Sequence, residues 1–196
     1  MTEILVVPDR SHDGSLDPHA AELIGAASEI GTPIVLIDDR THADALSTLG
    51  AATVLVSDAP LVDATTTALT TLNPAAVLFS HTVRGRETAG RVAVRAGKAL
   101  LTDAVAVRRD AEGIVTDHQN FGGAYTATAA ATHSAPVITV RPGAVEARAA
   151  AVATPDVRDL DVQPSGARTA EVVSVTPVER TSTRPDLLTA DKVVAG

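Results

Sequence analysis

The sequence predicts an α/β fold: an open, doubly wound and mostly parallel sheet with an antiparallel hairpin and an edge strand added to it. Short apolar runs alternate with helical patterns through the first half of the chain, and this alternation is typical of parallel strands joined by right-handed helical crossovers. The runs are apolar at every position rather than at every second one, which indicates strands covered on both faces.

The strands of the first half are expected where aliphatic runs are bounded by turn residues, at residues 4–7, 34–37, 53–56 and 76–79. Helices are expected between and after them, at residues 18–30, 43–49, 62–72 and 87–98. The first predicted helix has characteristic residues at both of its ends. Asp17 is a capping residue, Pro18 suits the first helical position, and Gly31 suits the end of a helix.

The second half is less regular. Residues 104–108 and 114–119 flank an Asp-Ala-Glu-Gly turn and predict a hairpin, whereas residues 125–131 fit either a strand or a helix. Residues 136–140 predict another strand, closed by an Arg-Pro-Gly turn. Residues 144–164 are rich in Ala, Asp and Pro and are expected to form a loop or a partly mobile arm. The alternating pattern of residues 171–178 predicts an edge strand with one solvated face.

Composition excludes several classes of partner. The 24 acidic and 16 basic residues give a net charge of −8, so counterion release cannot drive binding to a nucleic-acid backbone. The chain has only three aromatic residues, too few for a base-stacking platform. No apolar run approaches the roughly 20 residues that cross a bilayer. We therefore expect no nucleic-acid partner and no membrane insertion, and the start of the chain, which has no basic leader, indicates a cytoplasmic protein.

Standard catalytic and metal-binding motifs are missing from the sequence. There is no cysteine, which excludes a disulfide, a thiolate metal site and a cysteine nucleophile. No G-x-G-x-x-G, Walker or G-x-S-x-G motif occurs. The histidines do not fall at metal-ligand spacing, so no metal site is predicted. They are His12, His19, His42, His81, His118 and His133.

The end of the fourth predicted strand carries the best candidate site, the loop that contains Thr82, Arg84, Gly85 and Arg86. Ligands of open α/β sheets bind at the carboxyl ends of strands, and a helix amino terminus favours anions. One interpretation is a phosphate or nucleotide pocket. The other is a well-capped loop whose arginines pair with acidic residues such as Glu87 and Asp103, or with a partner protein; the residue types alone leave both open.

Three other segments are weaker candidates for a functional site. The paired glycines of residues 119–125 favour a tight turn between strands, and Arg141-Pro142-Gly143 favours a turn that ends a strand. Ser80 and His81 with an acidic residue would make a small hydrolase or transferase, but neighbouring residues are poorly placed for a triad. No catalytic residue is therefore predicted.

Five motifs in order give the chain a family resemblance. They lie at residues 14–18, at residues 81–91 together with Thr102-Asp103, at residues 121–127, at residues 137–144 and at residues 184–196. In this set and order the chain resembles the alpha subunit of electron-transfer flavoproteins. Two positions depart from the family pattern: Gly123-Ala124 stands where Gly-Asn is frequent, and Val145 stands in place of Phe.

The resemblance implies a division of the chain. Residues 1–183 are expected to form the amino-terminal α/β domain, and residues 184–196 a linker and the first strand of a missing FAD-binding domain. The family's G-G-R-G flavin loop would begin at Gly196. The resemblance thus implies no cofactor-binding residue before Gly196, and FAD only in the full-length protein.

The resemblance also implies partners and a role. Family members pair with a beta subunit and carry electrons from flavoprotein dehydrogenases of the acyl-CoA type to the respiratory chain, so this chain would be a scaffold and partner-binding domain without a catalytic site of its own. The alternative is a stand-alone AMP- or ATP-binding protein of the adenine nucleotide α-hydrolase or universal-stress type. Within the family, the equivalent fold of the beta subunit holds AMP, which keeps open the interpretation of the loop of Thr82 to Arg86 as a vestigial nucleotide site.

Overall fold

The structure, a computed structural model, describes residues 2–11, 13–111, 113–132, 134–168, 173, 174, 176, 190 and 192–194. Its helices are α1 (Ala20–Ile30), α2 (Ala43–Thr48), α3 (Leu61–Leu72) and α4 (Val83–Ala96), with a 3-10 turn at Arg40–His42. Its strands are β1 (Glu3–Val7), β2 (Thr32–Ile37), β3 (Thr53–Val56), β4 (Ala76–Ser80), β5 (Leu100–Asp110), β6 (Gly113–Asn120), β7 (Tyr125–Ala130), β8 (Val137–Val140) and β9 (Asp156–Asp159).

Within the described residues these strands form one sheet in the order β7-β6-β5-β8-β4-β1-β2-β3-β9. Strand β1 pairs in parallel with both β2 and β4. The chain winds outward from β1 through β2 and β3 and then returns to place β4 on the other side of β1. This reversal confirms the predicted doubly wound, mostly parallel sheet, and it creates a switch point between β1 and β4.

Both faces of the sheet are covered, which explains the continuous apolar runs. One hydrophobic cluster joins α1 and α2 to the sheet through residues such as Leu23, Ile24 and Leu46. A second cluster joins α3 and α4 to the opposite face through Ala68 and Val92. Strands β1 and β4 are almost entirely buried as a result.

Two helices, α1 and α4, begin two or more residues away from their predicted positions. Helix α1 begins at Ala20 because Asp17 closes a turn first: its carboxylate accepts a hydrogen bond from the His19 amide at 2.7 Å. The chain has not yet entered the helix at Pro18, so placing that residue at the first helical position was wrong. Helix α4 begins at Val83 rather than near Glu87, because Thr82 provides the cap.

The predicted hairpin is present, and the ambiguous segment after it is strand β7. Strands β5, β6 and β7 are successively antiparallel. The first residues of β5, Leu100 and Leu101, instead pair in parallel with β8, and the register shifts before Ala104. Asp103, at this irregularity, has a left-handed φ of 61°, a conformation that aspartate tolerates better than most residues.

Residues 144–168, here called the belt, differ most from the prediction. The expected loop contains strand β9, which pairs in parallel with β3. Before it, the belt crosses the face of α1 and α2, where Val145 is buried. After it, Leu160 and Val162 pack against the opposite cluster. The edge strand predicted at residues 171–178 lies mostly outside the described residues.

Candidate functional site at the carboxyl ends of the central strands

The switch point brings together two loops that are distant in sequence. Asp9 and Arg10 follow β1, and His81 and Thr82 follow β4. Because β1 and β4 are parallel neighbours, the two loops meet at the same edge of the sheet. This is the position at which folds of this class bind ligands, and it contains the predicted candidate loop.

Thr82 organises the candidate loop. Its hydroxyl accepts a hydrogen bond from the Gly85 amide at 2.9 Å and so caps α4. The same hydroxyl donates to the Asp9 carboxylate at 2.5 Å. Gly85 is required here because a Cβ at this position would lie 2.0 Å from the Ser80 carbonyl oxygen. The helix can therefore approach the end of β4 only at a glycine.

The two arginines of the loop do not use the acidic partners suggested by the sequence. Arg84 pairs with Asp9 at 3.5 Å, and the Arg86 Nε donates to the Thr82 carbonyl at 3.2 Å. Glu87 is instead paired with Arg91 at 2.9 Å. The loop is well capped, as one of the two interpretations required, but its arginine pairing differs.

Asp9 determines what this edge can bind. Its side chain is only 11% exposed and lies beside the capped amino terminus of α4, where a phosphate would have to approach. A carboxylate at this place repels a phosphate and already neutralises Arg84. The arrangement favours a loop closed by its own side chains over an anion pocket.

Arg10 closes the neighbouring strand end in the same way. Its guanidinium pairs with Asp38 at 2.6 Å, just beyond β2. Its Nε and Nη2 also donate to the Gly14 carbonyl at 3.2 and 3.0 Å. The segment after β1 is thus folded over the carboxyl ends of β1 and β2, and the polar groups there are paired with each other.

A second polar cluster lies at the ends of β4, β5 and β8. The buried Thr139 hydroxyl accepts a hydrogen bond from the Asp103 amide at 2.9 Å and contacts His81 Nδ1 at 2.8 Å. Arg141 binds the Asp103 carboxylate through two hydrogen bonds, at 3.0 and 2.6 Å. It also donates to the Gln119 carbonyl at 2.9 Å. The cluster fastens the bend of β5 and the end of β6 to β8.

Charges within this cluster shift two pKa values. Hydrogen bonding from Arg141 holds the pKa of Asp103 below its ordinary value. Burial lowers the pKa of His81, and the positive charges of Arg86 and Arg141 act in the same direction while Asp103 opposes them. At pH 7 these shifts favour the neutral form of His81 and the ionised form of Asp103.

The cluster lacks the geometry of a hydrolase. The two ring nitrogens of His81 face Thr139 and Asp103, at 2.8 and 3.8 Å, rather than Ser80. The ring is thus not placed as the base for a Ser80 nucleophile.

Beside Arg141 lies an open hollow of about 350 Å³ that also reaches Gln119 and Pro142.

Sequence reasoning missed Asp9 as the residue that closes the loop, and it missed Thr139 altogether. A usable signal existed for Asp9, because it directly follows a predicted parallel strand, as His81 does. Thr139 lies inside a strand and is fully buried, so only the pairing of β8 with β4 reveals what it contacts. The other two segments are turns, as predicted: residues 121–124 join β6 to β7, and Arg141 follows the end of β8.

The described part of the chain holds neither a metal-binding cluster nor a helix that could span a membrane. Among residues 2–168, apart from positions 12, 112 and 133, and among the few described residues beyond, no group of three or more metal-ligating side chains comes together. Over the same residues, every helix is too short or too polar to traverse a lipid bilayer.

Comparison with known proteins identifies relatives along the whole chain. The model of the electron transfer flavoprotein domain family matches residues 4–179. The electron transfer flavoprotein subunit alpha of Mycobacterium leprae (strain TN) is 38% identical over 210 residues, which cover 100% of this chain and 64% of that protein. The protein of the same name from Mycobacterium tuberculosis (strain H37Rv) is 42% identical over 165 residues, 77% of this chain and 51% of that protein.

A more distant relative, the electron transfer flavoprotein subunit alpha of Syntrophomonas wolfei, is 36% identical over 126 residues, 63% of this chain and 38% of that protein. The matched region thus covers between about half and two thirds of the length of these two mycobacterial proteins. The family match covers most of the chain and agrees with the doubly wound fold and with the motifs of the sequence. The chain belongs to the electron transfer flavoprotein domain family.

Proposed function

We propose that this chain is the amino-terminal domain of an electron-transfer flavoprotein alpha subunit and serves as a scaffold that binds the beta subunit. Residues 1–183 form this domain, and residues 184–196 lead into a second, FAD-binding domain. The observation that carries the proposal is that the whole of this chain aligns with an alpha subunit, while the alignment covers 64% of that alpha subunit. In this role the chain is cytoplasmic, binds the beta subunit through its surface and needs no catalytic site.

The chemistry of the strand ends supports a scaffold rather than a cofactor site. Flavin chemistry depends on protein groups that tune the bound ring. At the switch point, however, the polar side chains are occupied by one another: Asp9 by Thr82 and Arg84, and Arg10 by Asp38. FAD would be held by residues after Gly196, and the electrons of the flavoprotein dehydrogenases would pass through that second domain.

Mixing with the beta subunit tests the proposal. The 196-residue chain and the beta subunit from the same organism, each purified, should elute together in size-exclusion chromatography. The chain alone should be colourless and should gain no flavin spectrum when mixed with FAD. Separate elution would contradict the scaffold role, and a yellow chain would contradict the placement of the flavin site.

Calorimetry with AMP and ATP tests the stand-alone nucleotide-binding alternative, which no observation favours. The expected result is no binding heat, because Asp9 lies where the phosphate would approach. Asp9→Asn removes the negative charge while keeping the shape of the side chain, and it serves as the matched variant. Binding of AMP by the unsubstituted chain would overturn our assignment of this loop.

A further inference from the structure

The outward face of α4 carries apolar side chains that nothing in the described structure covers. Val83 is 78% exposed and Val94 is 86% exposed, although the helix already buries a separate face through Ala89, Val92 and Ala93. An α-helix turns once in about 3.6 residues. Val83, Gly90 and Val94 therefore lie on one stripe that points away from the sheet.

No contact within the described chain explains why a glycine occupies position 90, in the middle of this stripe. Glycine is a poor helix former, and where it is used inside a helix a close approach of another backbone is the usual reason. A Cβ at Gly90 would meet no atom within 4 Å. At Gly25 and Gly85, by contrast, the chain itself fills that space. The open space at Gly90 leaves room for the backbone of another polypeptide to approach α4.

Arginines border the stripe and form a shallow groove of about 580 Å³. Its lining residues are Arg86, Glu87, Gly90, Arg91, Val94, Arg95 and Arg168. Four arginines and one carboxylate line the groove, in a chain whose net charge is −8. Arg91 is held by Glu87 and by the Arg168 carbonyl, and Arg95 by Asp63 and Ser165. Arg86 makes only a contact with a backbone carbonyl among the described residues.

We infer that this groove is a docking site for an acidic segment of the beta subunit, whose backbone passes over Gly90. The inference rests on the function proposed above, which supplies the partner. Carboxylates of the segment pair with Arg86 and with the side chain of Arg168, and small or apolar side chains cover Val83 and Val94. Charge complementarity selects an acidic occupant, because Arg91 and Arg95 are already paired with carboxylates while the side chains of Arg86 and Arg168 leave the groove positively charged.

Gly90→Leu provides the sharpest test because structure and binding predict opposite effects. The added side chain enters open space and removes a helix-weakening glycine, so the isolated chain should remain folded with an unchanged or higher Tm. The affinity for the purified beta subunit, measured by isothermal titration calorimetry, should fall at least tenfold. Ser28→Leu, which places an exposed leucine on α1 at the opposite face of the sheet, is the control and should leave the affinity unchanged.

A charge reversal tests the arginine border. Arg86→Glu should weaken binding at least tenfold at low ionic strength and make the affinity less sensitive to added NaCl, since screening then has less attraction to remove. Arg158→Glu on β9, at the far edge of the sheet, is its control. If the chain binds the beta subunit and both groove variants bind as tightly as the unsubstituted chain, the groove assignment is wrong while the proposed function stands. If the unsubstituted chain does not bind the beta subunit, both fail together.

Discussion

The belt and the β6–β7 hairpin are both additions to the parallel core, yet they relate to it in opposite ways. The belt packs closely against a glycine of α1 and a glycine of the turn after α2: a Cβ at Gly25 would lie 2.0 Å from the Ala147 carbonyl oxygen, and one at Gly50 would lie 2.3 Å from the Ala149 Cβ. The glycines of the hairpin turn, Gly122 and Gly123, have open space around them.

The exposure of the two segments follows the same contrast. Strand β7 is exposed along nearly its whole length, and Phe121 and Tyr125 at the turn are 86% and 66% exposed. These two rings contact each other edge to face, with centroids 5.6 Å apart. The belt buries Val145 and ties itself to both faces of the sheet. The belt therefore completes the core, whereas the rings at the tip of the hairpin pack mainly on each other.

The largest effect should come from Gly25→Ala. The new methyl group would overlap the backbone of Ala147, so the belt must move off α1, and we expect the free energy of unfolding to fall by about 3 kcal/mol. Urea denaturation measures it. Gly90→Ala is the control, because it meets nothing within 4 Å and should stabilise the chain by about 0.5 to 1 kcal/mol. Equal effects of the two substitutions would refute the close fit of the belt.

A smaller effect is expected at the far end of the belt. The Asp63 carboxylate accepts hydrogen bonds from the Ser165 amide at 2.9 Å and hydroxyl at 2.8 Å, and it pairs with Arg95. Asp63→Asn keeps the shape but removes the charge, and it should cost about 1 to 3 kcal/mol at pH 7. Chemical denaturation of both proteins measures the difference.

The Asp63 effect should depend on pH. Burial by itself raises the pKa of Asp63, but the hydrogen bonds from Ser165 and Arg95 outweigh it and hold the pKa below its ordinary value of 3.8. A depressed carboxyl pKa stabilises the folded state above the unfolded pKa, and this stabilisation is lost as the pH falls through the folded value. The difference in the free energy of unfolding between the unsubstituted chain and Asp63→Asn should therefore decrease below about pH 4. A difference that increases there would contradict the assignment.

The smallest effect should come from the hairpin turn. Phe121→Ser with Tyr125→Ser removes two exposed rings whose main contact is with each other. The free energy of unfolding should change by no more than about 0.5 kcal/mol, as measured by urea denaturation. A loss as large as that of Gly25→Ala would show that the turn is anchored to the core and would erase the contrast with the belt.

The β5–β6 hairpin was predictable from sequence, whereas the residues of β7 fitted either a strand or a helix and strand β9 of the belt was not predicted. The Asp-Ala-Glu-Gly turn specifies β5 and β6 locally, while the alanines of β7 leave its conformation to its pairing with β6. Strand β9 forms because Asp156 to Asp159 find β3, about a hundred residues earlier in the chain, and no local pattern encodes that pairing. The buried parallel strands were predictable since burial on both faces leaves only aliphatic residues at their positions.

The candidate site was predictable in place but not in content. The rule for strand ends located the loop of Thr82 to Arg86, and Thr82 does cap α4. The partner of Arg84 was missed because Asp9 lies more than seventy residues away in sequence and meets the loop only through the parallel pairing of β1 with β4. A single sequence shows which strands end in polar residues, but the strand order decides which of them meet.

The position of Asp9 has a consequence for how this domain behaves in a cell. A protein that holds a free nucleotide at its switch point becomes more stable as the ligand concentration rises and less stable as it falls. Asp9 is covalently part of the chain, so its presence beside α4 cannot be diluted, exchanged or exhausted. On the function proposed above, in which this loop holds no nucleotide, the stability of the domain should not change with the concentration of adenine nucleotides.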